Sequence, residues 1–195
     1  GHGRISMIHF DAHADTANIL EGNLASHGTP MRRLIESGAI PGDRFIQVGL
    51  RGYWPGEEDQ KWMRDNGLRH FMMQEFWERG IPAVLEDLVL AAKERGDKTY
   101  ISIDIDVLDP GFAPATGTPE PGGFAPIDLL RIIRRLVLET DVVAFDVMEV
   151  APAYDHADLT VNVAHRLIWE AFAALAVNTL FPYTTLFRSE SEERR

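Results

Sequence analysis

The feature that most constrains this chain is a group of metal-ligating residue types placed directly after an apolar run. Residues 5–8 are mostly apolar, and Asp11, His13 and Asp15 follow them at intervals of two residues. In extended backbone alternate side chains share one face, so the end of a buried strand would project all three in the same direction. Because unpaired charge beside a buried strand is costly, a divalent cation explains the pattern. A carboxylate-rich loop that faces water is the alternative that this stretch alone leaves open.

A second stretch has the same form and shifts the balance towards a metal site. The segment 100–107 is mostly apolar, yet it carries Asp104 and Asp106 two residues apart. Two strands of one sheet that each end in acids would bring four carboxylates and one imidazole around a point. Hard oxygen ligands with one nitrogen suit Mn²⁺, and ligand softness alone also leaves Mg²⁺ and Zn²⁺ open. Five ligands exceed what one ion usually takes alongside water, so the pattern favours a two-metal site with bridging carboxylates.

Taken together, these motifs resemble the ureohydrolase family, which includes arginase and agmatinase. Asp-Ala-His-Ala-Asp (residues 11–15) and Ser-Ile-Asp-Ile-Asp-Val-Leu-Asp-Pro (residues 102–110) are similar to the two metal-binding motifs of that family. The loop 111–123 and the segment 147–155 resemble the agmatinase branch most. The resemblance covers residues 5–176 in the family order, so it implies the fold and the chemistry of that family.

The resemblance implies a role for each candidate metal ligand. Asp11 and Asp104 would bridge two Mn²⁺ ions. His13 and Asp106 would complete the coordination of one ion, and Asp15 would serve the other. The family also has an upstream Gly-Gly-Asp-His segment whose histidine completes one metal site, and that segment is absent from this sequence.

Two further residues take catalytic and substrate-binding roles by the same resemblance. Glu149 would pair with the guanidinium of the substrate, because a carboxylate accepts a directional, charge-assisted pair from that group. His27, in a His-Gly pair, would pass a proton to the departing amine, since imidazole exchanges protons near neutral pH. Without the resemblance, His27 would be interpreted as a turn residue and Glu149 as a helix cap or salt-bridge partner.

The implied function is hydrolysis of a guanidino C–N bond with release of urea, from agmatine to putrescine and urea. A guanidinobutyrase or guanidinopropionase is the nearest alternative within this class. A single-zinc deacetylase, which shares the general fold, and a metal-binding remnant without turnover are alternatives from other classes. The implied partners are a small guanidino substrate and further copies of the chain in a homo-oligomer.

Composition limits the other classes of function. The chain has 195 residues and a formal net charge of −11, which argues against nucleic acid or an anionic membrane as a partner. It contains no cysteine, so disulfides and thiol chemistry are excluded. The sequence shows neither a signal peptide nor an apolar run of the ~18 residues that a membrane span needs, and we expect a cytoplasmic protein.

The predicted fold class is α/β, with three α/β/α layers around a mostly parallel sheet. Because the family has earlier strands, we expect a partial catalytic domain over residues 1–180 that lacks the N-terminal strands. Residues 181–195 lose all helix or strand pattern and are predicted to be a non-native or disordered tail. Periodicity predicts helices at 31–37, 57–66, 81–95, 126–139 and 157–178, and strands at 44–50, 68–73, 100–107 and 141–150. The aromatic pair in the loop 51–56 could line a pocket, but packing is the favoured role.

Overall fold

The computed structural model describes residues 2–95 and 98–180. Within them the strands are β1 (Ile5–Phe10), β2 (Phe45–Val48), β3 (Arg69–Phe71), β4 (Lys98–Asp104) and β5 (Val142–Met148). The helices are α1 (Pro30–Glu36), α2 (Glu57–Asp65), α3 (Met73–Arg79), α4 (Ile81–Glu94), α5 (Pro126–Glu139) and α6 (Leu159–Leu180). Short 3₁₀ turns occupy Gly42–Arg44, Ile105–Val107 and Pro152–Tyr154. The tail predicted at 181–195 lies outside the described residues.

The strands form one sheet in the order β3-β2-β1-β4-β5, and every pairing in it is parallel. At the end of β1, Phe10 is in register with Val48 of β2 on one side and Ile103 of β4 on the other. The carboxyl ends of parallel strands meet at one edge of a sheet, which is where open α/β sheets bind ligands. The residues that follow β1 and β4 are therefore neighbours in space.

Helices cover both faces of the sheet, which confirms the three-layer arrangement. On one face, Met7 and Phe45 form a buried cluster with Ile35 of α1 and Met63 of α2. On the other face, strand residues such as Ile101 join a larger cluster with the buried sides of helices α3 to α6. Strands β1, β2 and β4 are buried along almost their whole length, as the apolar runs in the sequence predict for strands covered on both faces.

The predicted helices begin and end near the residues that favour those ends. A proline lies in the first turn of α1, α4 and α5, where its missing N–H leaves no hydrogen bond unmade. Gly67 follows α2 with a φ of +75°, a left-handed conformation that side chains disfavour and that ends the helix. Helix α3 was not predicted: the expected strand 68–73 is only three residues long, and the chain turns into this helix at Met73.

The second metal-bearing segment differs from its prediction in one respect that matters for the site. The predicted strand 100–107 ends at Asp104, and Asp106 lies in the following 3₁₀ turn. The cause is local, because the backbone N–H of Asp106 donates a 3.0 Å hydrogen bond to the Asp104 side chain. Short acidic side chains compete in this way with sheet hydrogen bonds. Likewise, β1 ends at Phe10, and residues 11–15 leave the strand as a loop.

Strand β5 is only partly covered, and Met148 at its end is 52% exposed. Helix α6 lies beside it and is apolar around much of its circumference, with Trp169 and Phe172 more than half exposed. None of the helices in 2–95 and 98–180 combines the length and the apolar character that crossing a membrane requires.

Candidate metal centre

The candidate ligands meet at the carboxyl edge of the sheet. Asp11 follows the last residue of β1, Asp104 ends β4, and these two strands are hydrogen-bonded neighbours. A cavity of about 540 Å³ opens at this edge. All seven residues that the sequence singled out line it: Asp11, His13, Asp15, His27, Asp104, Asp106 and Glu149.

Hydrogen bonds join the two metal motifs directly. Nδ1 of the His13 ring lies 2.9 Å from Oδ2 of Asp106. The other oxygen of Asp106 accepts the backbone N–H of Ala12 at 3.0 Å. Oδ1 of Asp11 accepts the backbone N–H of His13 at 2.6 Å. These bonds orient the side chains of both motifs before any ion is bound.

His9 also belongs to the cluster, although the sequence analysis did not select it. Its ring is 2% exposed, and Nε2 lies 3.1 Å from Oδ2 of Asp11. The sequence did contain a signal for His9: it lies in β1, two residues before Asp11, and alternate residues of an extended chain share a face. Two groups of potential ligands result, each with ligand atoms within 4.8 Å of one another: His9, Asp11 and Asp15, and Asp11, His13 and Asp106.

The donor set and its electrostatics fit a divalent cation. Oδ2 of Asp11 is buried, and Nε2 of His9 lies 3.1 Å away as its ion-pair partner, but no described group makes a well-directed hydrogen bond to it. A buried carboxylate oxygen in this position is stabilised by a cation nearby. Burial and the nearby Asp11 charge raise the pKa of Asp15 to about 8 and that of Asp104 to about 10. Carboxyl groups that hold protons at neutral pH because they are buried and crowd one another can exchange those protons for a metal. Carboxylate oxygens with imidazole nitrogens are the ligands expected for Mn²⁺ and similar ions.

His13 is polarised by the acids around it. Burial lowers the pKa of its ring, but the hydrogen bonds to Asp106 and Asp11 outweigh burial and raise the pKa to about 10. In the absence of an ion the proton on His13 therefore supplies the positive charge that the carboxylates need. A bound cation would take over that charge, since a ligating imidazole must be neutral.

Three residues that line the cavity, Asp15, Glu21 and Glu149, adopt backbone conformations that are uncommon for residues other than glycine, and Glu21 has a φ of +51°. Asp15 has a φ of +53° and Glu149 a φ of +60°. Such strain persists only where the surrounding structure enforces it, and it clusters at functional sites. The carbonyl oxygen of Asp15 accepts the N–H of Met31 at 3.1 Å, which joins this residue to the start of α1. After Glu149, the N–H of Ala151 donates to the carbonyl oxygen of Ala115 at 2.9 Å.

Glu149 and His27 line the same cavity from different elements. Burial and the charges of Asp106 and Asp11 raise the pKa of the half-buried Glu149, and His27 partly offsets this rise. His27 is exposed on the loop before α1. Trp54 also lines the cavity and is 60% exposed, so the structure brings one member of the aromatic pair to a pocket, which is the alternative role that the sequence left open.

Comparison with known proteins agrees with this geometry. The chain is 41% identical to a guanidinopropionase from Pseudomonas aeruginosa over 175 residues, which are 88% of this chain and 54% of that protein. It is 36% identical to a mitochondrial agmatinase from Gallus gallus, covering 89% of this chain and 50% of that protein. The crystal structure of formimidoylglutamase from Bacillus subtilis superposes with a TM-score of 0.83 at 28% identity, covering 89% of this chain and 54% of that one. The chain thus spans about half the length of the curated relatives that it matches.

A family model provides the assignment. The model described as "Arginase family" matches residues 1–174, which include both metal motifs and Glu149. The parallel sheet with helices on both faces is the fold expected for that family. The chain therefore belongs to the arginase family, in the branch that resembles agmatinases and other guanidino hydrolases.

Proposed function

We propose that this protein hydrolyses the C–N bond of a small guanidino compound and releases urea, with two Mn²⁺ ions in the cavity at the carboxyl edge of the sheet. The observation that carries this proposal is the convergence of two acidic motifs on one point. The ring of His13 lies 2.9 Å from Asp106, and the cavity that they share also contains Glu149 and His27.

The ligand set divides between two ions that share carboxylates. Asp11 and Asp104 would bridge the ions. His13 and Asp106 would complete one site, and Asp15 would serve the other. Bound divalent ions supply Lewis acidity and lower the pKa of water from about 15.7 towards neutrality. The burial of Asp11 and its membership of both groups of potential ligands support its place between the ions.

The chain's own residues bind the substrate and move the proton. Glu149 would accept hydrogen bonds from the guanidinium of the substrate. Because such charge-assisted pairs are strong and directional, this contact would hold the guanidino carbon at the metal centre. The oxygen of water bonds to the guanidino carbon as the C–N bond breaks, and His27 would pass one proton of that water to the departing nitrogen. The amine then takes up the second proton of the water to become an ammonium group, and the carbon becomes urea. The presence of Asp15 and Glu149 in the same cavity argues against a single-zinc deacetylase.

The cavity wall favours a substrate whose far end is cationic, and we infer agmatine as the substrate. Three acidic side chains that are not candidate metal ligands also line the cavity, and none of its described lining residues is Lys or Arg. One of the three, Asp59, pairs with Arg32 outside the lining at 3.5 Å, so the other two supply the unpaired negative charge. The carboxylate of a guanidino acid would meet like charge there, whereas the ammonium group of agmatine would be attracted. The acidic residues are Glu21, Asp59 and Glu120. The similarity to a guanidinopropionase keeps a guanidino acid as the second candidate.

The experiment that tests the reaction is urea release with Mn²⁺. Agmatine, 4-guanidinobutyrate, 3-guanidinopropionate and arginine would be compared side by side. The chain would be measured alone and joined to the upstream region of the guanidinopropionase relative. Asp104→Ala serves as the inactive variant, and Asp65→Ala, at an exposed helix position, serves as its matched control.

The outcomes separate the alternatives. Urea from agmatine alone, lost in Asp104→Ala and kept in Asp65→Ala, supports both the reaction and the substrate. Urea from a guanidino acid retains the mechanism and changes the substrate. Bound metal with no urea from any of the four compounds would contradict the hydrolase proposal and favour a remnant without turnover.

A further inference from the structure

Arg51 is a buried arginine that follows β2 and lies beneath the metal centre. The residue is 5% exposed. Its guanidinium donates hydrogen bonds to six backbone carbonyl oxygens, which belong to Gly49, Asp106, Val107, Leu108, Glu120 and Pro121. Burying a charge is costly unless its donors are paired. The hydrogen bonds of this buried guanidinium all go to backbone carbonyl oxygens, which is an unusual arrangement for a buried arginine.

These acceptors belong to two segments that border the cavity. Nη2 donates to the carbonyl oxygen of Asp106 at 2.7 Å and to that of Leu108 at 3.2 Å, so it holds the turn that carries a metal ligand. Nε donates to the carbonyl oxygens of Glu120 at 3.1 Å and Pro121 at 3.0 Å. The segment 118–120 lines the cavity. One side chain therefore connects the metal-bearing turn to a wall of the substrate cavity.

The backbone of Arg51 binds the other metal motif. Its N–H donates to the carbonyl oxygen of Ala12 at 3.0 Å. The N–H of Ala12 in turn donates to Oδ1 of Asp106 at 3.0 Å. A closed circuit of hydrogen bonds results, in which Arg51 holds the backbone of Asp106 and, through Ala12, also holds its carboxylate.

Two glycines leave the space that this arrangement needs. A Cβ atom at Gly123 would lie 2.6 Å from Nη2 of Arg51 and 2.5 Å from the carbonyl oxygen of Val107. A Cβ atom at Gly52 would lie 2.8 Å from the carboxyl carbon of Glu120. The guanidinium thus fits a site bounded closely by backbone. A lysine could not reproduce it, because a single ammonium has three donors on one atom instead of five in a planar fork.

We propose that Arg51 is a positioning residue that orients Asp106 towards the metal centre and aligns the 118–121 loop with it. This inference rests on the proposed function for the identity of the metal centre. Arg51 acts through Asp106 and through backbone carbonyls, and it is not among the residues that line the cavity. Outer partners of metal ligands typically contribute ten- to hundred-fold to metal affinity.

The test compares Mn²⁺ affinity in Arg51→Lys and in a matched variant, Arg95→Lys. Arg95 is also a partly buried arginine that donates to carbonyl oxygens, those of Asp43 and Ala91, but it lies at the amino end of β4, away from the cavity. The thermal unfolding of each protein is measured first, to choose a temperature at which all of them are folded. Calorimetric titration with Mn²⁺ is then carried out at that temperature. We expect about a ten- to hundred-fold weaker affinity in Arg51→Lys and an unchanged affinity in Arg95→Lys.

The outcomes distinguish positioning from general stabilisation. An unchanged Mn²⁺ affinity in folded Arg51→Lys, or an equal loss in both variants, would overturn the proposal. If the unsubstituted chain binds no Mn²⁺, the metal centre and the role of Arg51 fail together. If it binds Mn²⁺ but releases no urea, the hydrolase proposal alone fails, and the affinity comparison still decides the role of Arg51.

A measurement on the unsubstituted chain covers the case in which Arg51→Lys does not fold. Hydrogen exchange would be followed with and without Mn²⁺ in the segments 105–109 and 118–122. Because Arg51 links them, Mn²⁺ is expected to slow exchange in both segments. Slower exchange in 105–109 with no change in 118–122 would contradict the proposed linkage.

Discussion

Nδ1 of His13 lies 2.9 Å from Oδ2 of Asp106, although 93 positions of sequence separate the two residues. The contact joins the loop after β1 to the turn after β4, and parallel pairing of those strands makes it possible. The same contact orients the His13 ring for metal binding, because the two atoms that it joins are the ones that would coordinate a shared cation. Four of the predictions below concern this cluster or the cavity that contains it.

Asp106→Asn is expected to weaken Mn²⁺ binding by at least about ten-fold, since the variant keeps the size of the side chain but loses the charge that a ligand supplies. The amide oxygen can still accept the N–H of Ala12, so the fold should be retained. Calorimetric titration measures the affinity, and circular dichroism verifies the fold. Equal affinity in the variant and the unsubstituted chain would remove Asp106 from the ligand set.

Glu149→Gln is expected to reduce kcat/KM for agmatine by about ten- to hundred-fold, the loss that follows when a hydrogen bond to a charged group is weakened. Metal content should stay unchanged, because Glu149 is proposed to contact substrate instead of the ions. Urea assays and metal analysis of the same preparation test both statements. A variant that loses its metal would show that Glu149 is part of the ligand set.

His9→Phe is expected to weaken Mn²⁺ binding, because Nε2 of His9 lies 3.1 Å from Oδ2 of the candidate ligand Asp11 and both side chains are buried. Phenylalanine fills similar volume without a nitrogen, so the loss of affinity should reach about ten-fold with little change in packing. His165→Phe, on the exposed side of α6, is the matched control. Unchanged affinity in His9→Phe would assign this residue to packing alone.

Mn²⁺ is expected to stabilise the folded chain, since an ion that binds only the native state adds free energy by mass action. At a free concentration one hundred times Kd the gain is about 2.7 kcal/mol for one site. Thermal unfolding with Mn²⁺, compared with unfolding in a chelator, measures it. Asp104→Ala should show a smaller gain, and an identical gain would place the ion elsewhere.

Asp155 provides a prediction of pH dependence away from the metal centre. Its oxygens accept the N–H groups of Thr160 at 3.1 Å and Val161 at 2.9 Å, at the start of α6. Desolvation works in the opposite direction, but these backbone hydrogen bonds prevail and lower the pKa of the carboxyl group. A pKa lower in the folded state gives stability that is present above the unfolded value of about 3.9 and is lost as pH falls through the folded value.

The corresponding measurement compares unfolding midpoints across pH. Asp155→Ala should unfold at a lower temperature than the unsubstituted chain near neutral pH, and the difference should shrink as pH falls below about 4. Asp65→Ala, which removes an exposed carboxylate that pairs with Lys61, controls for a general loss of charge. A difference that stays constant with pH would show that the charge of Asp155 does not stabilise α6.

Much of the fold follows from local sequence pattern. Apolar runs specify β1 and β4 because strands covered on both faces are apolar throughout. The helices follow from periodicity and from prolines and glycines at their ends. The exceptions arise where a side chain competes with the sheet for a backbone hydrogen bond. The Asp104 carboxylate accepts the N–H of Asp106, so β4 ends at Asp104 and a 3₁₀ turn follows. Cytoplasmic location stays a prediction from the sequence, and homo-oligomeric assembly stays an expectation that the family resemblance implies.

By itself the sequence identified the candidate metal ligands, because acids and histidines spaced two apart after apolar runs are recognisable without coordinates. Only the tertiary structure decided which of them meet. The contact of His13 with Asp106, the addition of His9 and the circuit closed by Arg51 all depend on strand order and register. The physical reason is that such contacts join segments distant in the chain, and neither periodicity nor residue spacing carries information about which strands will lie side by side.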